Sequence, residues 1–438
     1  MLPIRMPRTP LPRTPMPRAF TRLAAANLAA QSAEQIALAA IPIVAVLGLG
    51  VGEGEAGLLQ TALTLPFLVA AIPAGLLADR LPRRGLMATA ELVRAAALAV
   101  ILLLAATGQA SWPLLAGLGF LSACGTVVFS VAGPALVPAL VPPAGLGAAN
   151  ARIELARTVA FAGGPALGGA LVGWTGAAPA FGVAVALSLA AALALAGLAE
   201  PARPAAPRRH PAREIREGAA FAFRHPLLRP VLATQIVFNT AFFLLLAVFV
   251  PYAARHLHSD AAGIGVILGL YGFGMMVGAL LAPAILRRLR FGTVVGIGPL
   301  AGFAASATVA LTILVPSPAL AGLGLFLLGA GPILWVISTT TLRQAVTPAD
   351  LLGRVSGLSV MTQGARPLGA ALAALVGGLA GAEACLVLAV LAFGLQALMI
   401  WTSPAVRLAA LPAGPPQPSP ASPSSLSPSS RSRQPCRM

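Results

Sequence analysis

The chain has 438 residues, of which 58% are apolar and only 9% charged, whereas soluble domains carry about 25% charged residues; that excludes a string of soluble domains and leaves lipid as the solvent for so much apolar side chain. The net charge of +17 comes from 29 arginines, with no lysine, and they sit in short loops between long apolar runs rather than along one exposed face, which argues against a nucleic-acid partner. Without lysine there is no Walker lysine, so ATP-driven transport by this chain alone is excluded.

Residues 1–19 alternate Pro and Arg around small residues and read as a disordered cytoplasmic arm. Apolar segments follow at 22–49, 56–77, 85–107, 113–141, 153–173, 177–199, 228–251, 262–286, 293–315, 319–341, 355–380 and 383–402. Most have the roughly 20 residues that carry a helix across a bilayer. Helix is the only option for such runs, because each backbone amide must find its partner within its own segment. Barrel strands would be about 10 residues long and would alternate in polarity. The first run is too long for the apolar part of a signal peptide and contains Glu34 and Pro42, so it is expected to stay in the membrane. The reading is an all-α membrane protein of twelve transmembrane helices.

The longest internal break, 200–227, divides the helices into a bundle at 20–199 and a bundle at 228–403. This cytoplasmic linker is rich in arginine, and its stretch from Ala212 to Arg224 has the pattern of an amphipathic helix on the membrane surface. A Pro/Ser-rich tail at 404–438 is expected to be disordered. The loop arginines fall on one side of the membrane except Arg255, which shares the other side with Glu53, Glu55, Asp260 and Glu383. Arg94 and Arg366 lie within helices. The positive-inside rule then predicts a multi-pass protein of the bacterial inner membrane with both termini in the cytoplasm.

The two bundles share landmarks. Arg152 and Arg354 each open a fifth helix and each precedes a proline by thirteen residues, Pro165 and Pro367. Gly75 and Gly278 sit late in the second helices, and Phe120 and Gly125 of helix 4 are echoed by Phe326 and Gly331 of helix 10. Duplicated halves with a site at their interface are the structural logic of alternating access.

The loop after helix 2 reads Gly75-Leu-Leu-Ala-Asp79-Arg80-Leu-Pro82-Arg83-Arg84. It resembles the signature of the major facilitator superfamily, in which Gly and Asp-Arg are followed by Gly-Arg-Arg; here Pro82 stands where that glycine is usual. The resemblance implies the two-bundle major facilitator fold and a gating latch. In it the aspartate at the position of Asp79 meets the N-terminal end of helix 11, an anion on a helix dipole. The second copy, from Gly278 to Ala282, lacks the acid but keeps Arg287 and Arg288. In helix 5, Gly164-Pro165-Ala-Leu-Gly168-Gly169 looks like the family's antiporter-associated motif. Residues 149–173 and 343–378 also resemble the branch that contains siderophore and macrolide exporters, on Asn150-Ala-Arg152, Gln344, Gly353-Arg354 and Pro367-Leu-Gly369.

Charges inside a bilayer are costly and mark functional sites. Glu34, near the middle of helix 1, is the candidate proton carrier, and it shares with Gln31 and Gln35, both candidate substrate contacts, a helical face expected to point into a cavity. Glu91 and Arg94 lie three apart in helix 3, either as a local ion pair or with Glu91 as a second proton-coupling group. Arg366 either binds an anionic substrate, neutralises Glu34 or forms another salt bridge. Gln235 and Asn239 in helix 7 and Trp335 and Ser338 in helix 10 are candidate substrate contacts, because helices 1, 4, 7 and 10 line the cavity in the family resembled. The four histidines are in loops, and the three cysteines share no metal-ligand spacing.

The expectation is therefore a monomeric secondary transporter, not an enzyme, with no cofactor and no metal. Its partners are protons, a small-molecule substrate and the lipid bilayer. It would export drugs or small amphipathic metabolites in exchange for protons; the alternative is a proton-coupled importer of a sugar, organic acid or peptide.

Overall fold

The computed structural model describes residues 16–142, 145–200, 211–348 and 351–412. Residues 1–15 of the arm, 201–210 of the linker and 413–438 of the tail lie outside the described residues. Within them the chain forms helices and no strand.

The first set runs α1 (Arg18–Ile43), α2 (Glu53–Thr64), α3 (Pro66–Val69), α4 (Ala71–Arg80), α5 (Arg83–Ala106), α6 (Trp112–Leu140), α7 (Leu146–Thr175) and α8 (Ala177–Ala196). A short helix, α9 (Pro211–Arg224), follows. The second set is α10 (Leu228–Arg255), α11 (Ala261–Arg288), α12 (Phe291–Leu311), α13 (Pro318–Ala330), α14 (Pro332–Val346), α15 (Leu352–Met361) and α16 (Arg366–Trp401).

Three of the expected segments are broken, and proline stands at each break. Proline lacks the amide that would bond one turn back, so it opens a new helix more readily than it continues one. The second segment becomes α2, α3 and α4, with Pro66 opening α3 and a 43° bend before α4. The tenth becomes α13 and α14, with Pro332 in the first turn of α14. The eleventh passes from α15 through a 3-10 turn at Thr362–Ala365 into α16, whose first turn holds Pro367.

By length and apolarity ten helices qualify as membrane spans, or eleven when the bent pair counts as one span. The twelve expected differ from this count at α16, a 36-residue helix. Straight, it would run about 54 Å, far beyond a hydrocarbon core of about 30 Å. Gly381 interrupts it with φ 82°, a left-handed conformation that glycine adopts without steric cost. The Cys385 thiol then lies 3.8 Å from the Ala373 carbonyl, so the helix doubles back on itself as a hairpin. Every positive-φ residue among those described lies in a turn on the acidic-loop side: Gly50, Gly108, Gly176, His258 and Gly381.

Within the first set α1 packs on α7 and α8, and α5 on α6 and α8. Within the second, α10 packs on α16, α11 on α13, and α12 on α13 and α16. The sets meet through α7 against α11 and α2 against α16. Small residues make both contacts. A Cβ added at Gly169 would overlap the backbone of Ala261 and Gly265, and one at Gly57 the backbone of Ala374. Small residues let helices approach this closely in lipid, where dispersion rather than hydrophobic exclusion drives association. Helix α9 docks through Ala222 on Leu228, Leu232 and Val355, and Glu217 pairs with Arg354 at 2.7 Å.

Candidate functional site

A cavity of about 400 Å³ lies between the two sets. The first set lines it with α1, α2, α3, α6 and α7; the second with α10, α11, α13, α14, α15 and the start of α16. The glycine contacts between the sets pair Gly54 and Gly57 with Ala374 and Gly378, Phe161 to Gly173 with Ala261 to Gly272, and Gly364 with Leu68. All but the last occupy the acidic-loop half of the membrane. There Arg255 also bridges the sets, donating to Glu53 at 2.6 Å and to the Val51 carbonyl at 2.7 Å. Toward the arginine-rich side α4 turns onto α6, in its own set, and α15 onto α9.

Glu34 and Gln35 line the cavity from α1. The cations whose fields act on Glu34 are Arg94, Arg366 and Arg157. Gln31 is half-buried on the same helix but is not part of the wall. Glu91 and Arg94 also lie outside the cavity. They are 0% and 1% exposed, and Arg94 donates to both Glu91 oxygens at 2.8 and 3.0 Å. The same guanidinium reaches the Thr126 hydroxyl at 2.7 Å and the Ala30 carbonyl at 3.2 Å, tying α5 to α6 and α1.

The opposite wall is aromatic. Phe238 lies 5.7 Å from Trp335, 5.9 Å from Phe242 and 5.8 Å from Phe393 between ring centroids. Gln235 and Asn239 line it, and the Asn239 amide is spent on the Gln235 carbonyl at 2.9 Å. Trp335 lines the cavity with its indole Nε1 buried and unpartnered. Ser338 is buried behind it and donates to the Trp335 carbonyl at 3.1 Å. Arg366 sits where the two broken segments meet, 4.3 Å from the centre of the Phe67 ring and 5.2 Å from that of Phe243.

The motif residues separate into two groups. Gly164 and Gly168 seat α7 against α1 at Gln35 and Ile36, while Gly169 seats it against α11. Pro165 lines the cavity between them. Where α4 passes into α5, Arg80 and Arg84 are exposed and Gly75 and Arg83 are half-buried; the Asp79 side chain lies outside the described residues. Pro82 needs no left-handed turn, since its φ of −57° starts α5 directly. A residue not singled out from the sequence completes this corner. The Glu200 carboxylate accepts the backbone amides of Arg83 at 3.2 Å and Arg84 at 3.0 Å, and so caps α5 with a negative charge.

Arg157, Tyr271 and Phe67 also line the cavity and were not singled out. Arg157 counted as a loop cation of helix 5, yet its side chain turns into the cavity and pairs with Glu154 one turn back. The available signal was its spacing, four and eight residues before Phe161 and Pro165, which also line the wall. Among the described residues no group of three or more His, Cys, Asp or Glu side chains converges on a metal-sized point.

A chain whose described residues form helices and no strand, in two sets around a central cavity, has the architecture of an alternating-access membrane carrier. The model of the Major Facilitator Superfamily matches residues 23–374, and the chain belongs to that family. An uncharacterized MFS-type transporter, y4rN, of Sinorhizobium fredii is 30% identical over 270 residues, covering 57% of this chain and 64% of that protein. The enterobactin exporter EntS of Citrobacter koseri is 28% identical over 240 residues, 55% of this chain and 56% of that one. The chain thus spans less than two thirds of the length of these curated relatives. Among solved structures, the nucleoside transporter NupG is similar with a TM-score of 0.70 at 15% identity, over 89% of this chain and 99% of that one. A bacterial homolog of the human lysosomal transporter Spinster, inward-facing and unoccupied, gives 0.68 at 16% identity, over 89% and 97%. At these identities the likeness is one of fold.

Proposed function

We propose that the chain exports small amphipathic molecules from the bacterial cytoplasm by alternating access, with Glu34 as the group that takes up and releases the coupling proton. One observation carries this reading. A carboxylate is set into the wall of a cavity between two helix sets that are sealed by glycine contacts at one end. With the arginine-rich loops inside, the sealed end is the outer one and the cavity is in its inward-facing form. Both termini are then cytoplasmic and the monomer is the working unit.

The helix-5 glycines give the coupling a physical route. Gly164 and Gly168 hold the Glu34 helix, and Gly169 holds the interface that must part when the cavity opens outward. A change of charge at Glu34 therefore acts on the helix that bears the seal. Asp79 and Arg80 engage when the arginine-rich ends close. Export as the direction is taken from the enterobactin exporter among the relatives.

The test is efflux of an accumulated hydrophobic dye from energised cells. Glu34→Gln removes the acceleration given by an inward proton gradient while the amount of protein in the membrane is unchanged. A variant with the full proton response would take Glu34 out of the mechanism. A second reading, uptake of an organic acid together with a proton, is favoured by Arg366, since an anion there binds best when Glu34 nearby carries a proton. Accumulation of an organic acid in right-side-out vesicles under an inward proton gradient selects it.

A further inference from the structure

We infer that the cavity is built for an aromatic anion, a flat ring system bearing a carboxylate that Arg366 holds. The inference rests on reading this cavity as the substrate site and is independent of transport direction.

Charge comes first. The acidic and basic groups on the wall are Glu34, Arg157 and Arg366. The Arg157 charge is answered by Glu154, with Nε 3.1 Å from both carboxylate oxygens, and that of Arg94 behind the wall by Glu91. Arg366 makes no ion pair and no hydrogen bond among the described residues, and its Nε is buried without an acceptor; Glu34 makes no ion pair either and acts on Arg366 only through its field. A buried donor left without an acceptor, as the Arg366 Nε is, is costly unless a ligand answers it. With Glu34 protonated, as the proposed coupling requires, a cationic ligand would meet an uncompensated positive charge and an anionic one completes it.

Geometry narrows the anion. Phe67 and Phe243, from opposite sets, lie against the guanidinium and fix it across the cavity. A guanidinium held by aromatic rings keeps its in-plane N–H fork, which matches the two oxygens of a carboxylate. From Phe243 the rings continue, with Phe242 5.2 Å away, Phe238 5.9 Å beyond it and Trp335 5.7 Å further. A flat ring system stacks on such a wall. The unpartnered Trp335 indole at the far end offers one more donor, to an oxygen carried on the ring. Gln35 Nε2 and Gln235 Oε1 are also unpartnered on the wall, and their amides can turn to either polarity. The fixed donors are thus those of Arg366 and Trp335, and an acceptor-bearing ligand suits both.

The test uses the full-length protein in lipid nanodiscs at pH 7.5 and three probes of one shape: 1-naphthoate, 1-naphthamide and 1-naphthylmethylammonium. Binding is read by calorimetry. Naphthoate binds, the amide binds roughly 10- to 100-fold more weakly, as for loss of a charge-assisted hydrogen bond, and the ammonium more weakly still. Arg366→Gln brings naphthoate down to the level of the amide, and an unaltered melting temperature and gel-filtration profile show that the variant is folded. Arg366→Lys keeps the charge without the fork and falls between. Equal or tighter binding of the ammonium overturns the inference, as does unchanged naphthoate affinity in Arg366→Gln, or no binding of any probe at millimolar concentration. Arg366-dependent binding without outward movement in proteoliposomes leaves the inference standing and removes the export reading. Outward movement of another substrate, with no Arg366-dependent naphthoate binding, does the reverse.

Discussion

The two helix sets join their third helix to their fourth in the same place but by different chemistry. Gly125 lets α6 approach α5, where an added Cβ would come within 2.9 Å of the Ala90 carbonyl and 3.7 Å of the Arg94 side chain. Gly331, its counterpart, brings the helix-10 pair onto α12, where an added Cβ would overlap that of Ala301. The close approach is common to both. What lies beside it differs: the first set buries Glu91, Arg94 and Thr126, and the second buries Trp335 against Gly298. The close approach needs a glycine in both sets, whereas the volume beside it is filled differently in each. One wall of the cavity is therefore backed by fixed charges and the other by rings. A substrate held between them meets a polar side and an apolar side, which suits the amphipathic molecule proposed above.

The largest effect separates these two kinds of core. Glu91→Leu strands Arg94 in a site that is 1% exposed, and breaking a buried pair in this way costs about 3–5 kcal/mol. Replacing both partners, Glu91→Leu with Arg94→Met, recovers most of that loss, because two apolar side chains need no answering charge. Thermal unfolding in detergent measures both. In the second set Trp335→Ala costs about 3 kcal/mol through the void it leaves, and no second deletion restores it. A double variant in the first set as unstable as the single one would mean that Arg94 is held by Thr126 and the Ala30 carbonyl as much as by Glu91. A stable double variant that has lost its proton response would give Glu91 a part in coupling beyond its pairing.

The same contrast explains what could be read from the chain before its folding was known. Membrane segments are legible because lipid demands long unbroken apolarity, and Glu34 stands out because an acid in such a run is costly. The breaks at Pro66 and Pro332 were visible as prolines, but proline alone does not distinguish a kink from a new helix. Arg157 was hidden by its neighbour Arg152, since two arginines near a helix start read as anchors until the side chain is seen to turn inward. Phe67 and Tyr271 carried no signal at all, because aromatic residues are ordinary in apolar helices. Gln31 shares a helical face with Glu34, yet the face of α1 is wider than the cavity and α8 also packs on that helix. Glu200 could not be read locally, as its partners are 117 and 116 residues away.

Glu200 sharpens the comparison at a second site. It caps α5 with a carboxylate, whereas the equivalent helix start in the second set, α12, gives the Gly292 amide to the Leu408 carbonyl at 2.9 Å. The first cap depends on a side chain and the second on the backbone alone. Glu200→Ala is expected to cost about 1 kcal/mol and Glu200→Gln somewhat less, since a neutral amide still accepts a hydrogen bond but no longer answers the helix dipole. Part of the wild-type advantage should fade with added salt. Alanine at Leu408 leaves the carbonyl in place and should not weaken the α12 start. Equal losses at the two positions would show that packing, and not the caps, holds these helix starts.

The smallest change in stability falls where the two sets touch. Arg255 and Glu53 are 40% and 22% exposed, and exposed pairs of this kind contribute about 0.5 kcal/mol. Arg255→Met should therefore barely move the melting temperature. The pair nonetheless spans the closed acidic-loop end of the two sets, so under the proposed alternating access its whole contribution bears on the balance between inward- and outward-open forms. About 0.5 kcal/mol shifts such a balance roughly twofold. A cysteine placed at Leu246, on the cavity wall, in a background with Cys124, Cys385 and Cys436 replaced by alanine, reports the shift through an impermeant maleimide added outside. Labelling should rise about twofold in Arg255→Met, and high salt should produce part of the same rise in the unaltered pair by screening it. Labelling that ignores both would place the closing energy in the glycine contacts alone, since those involve no charge and do not respond to salt.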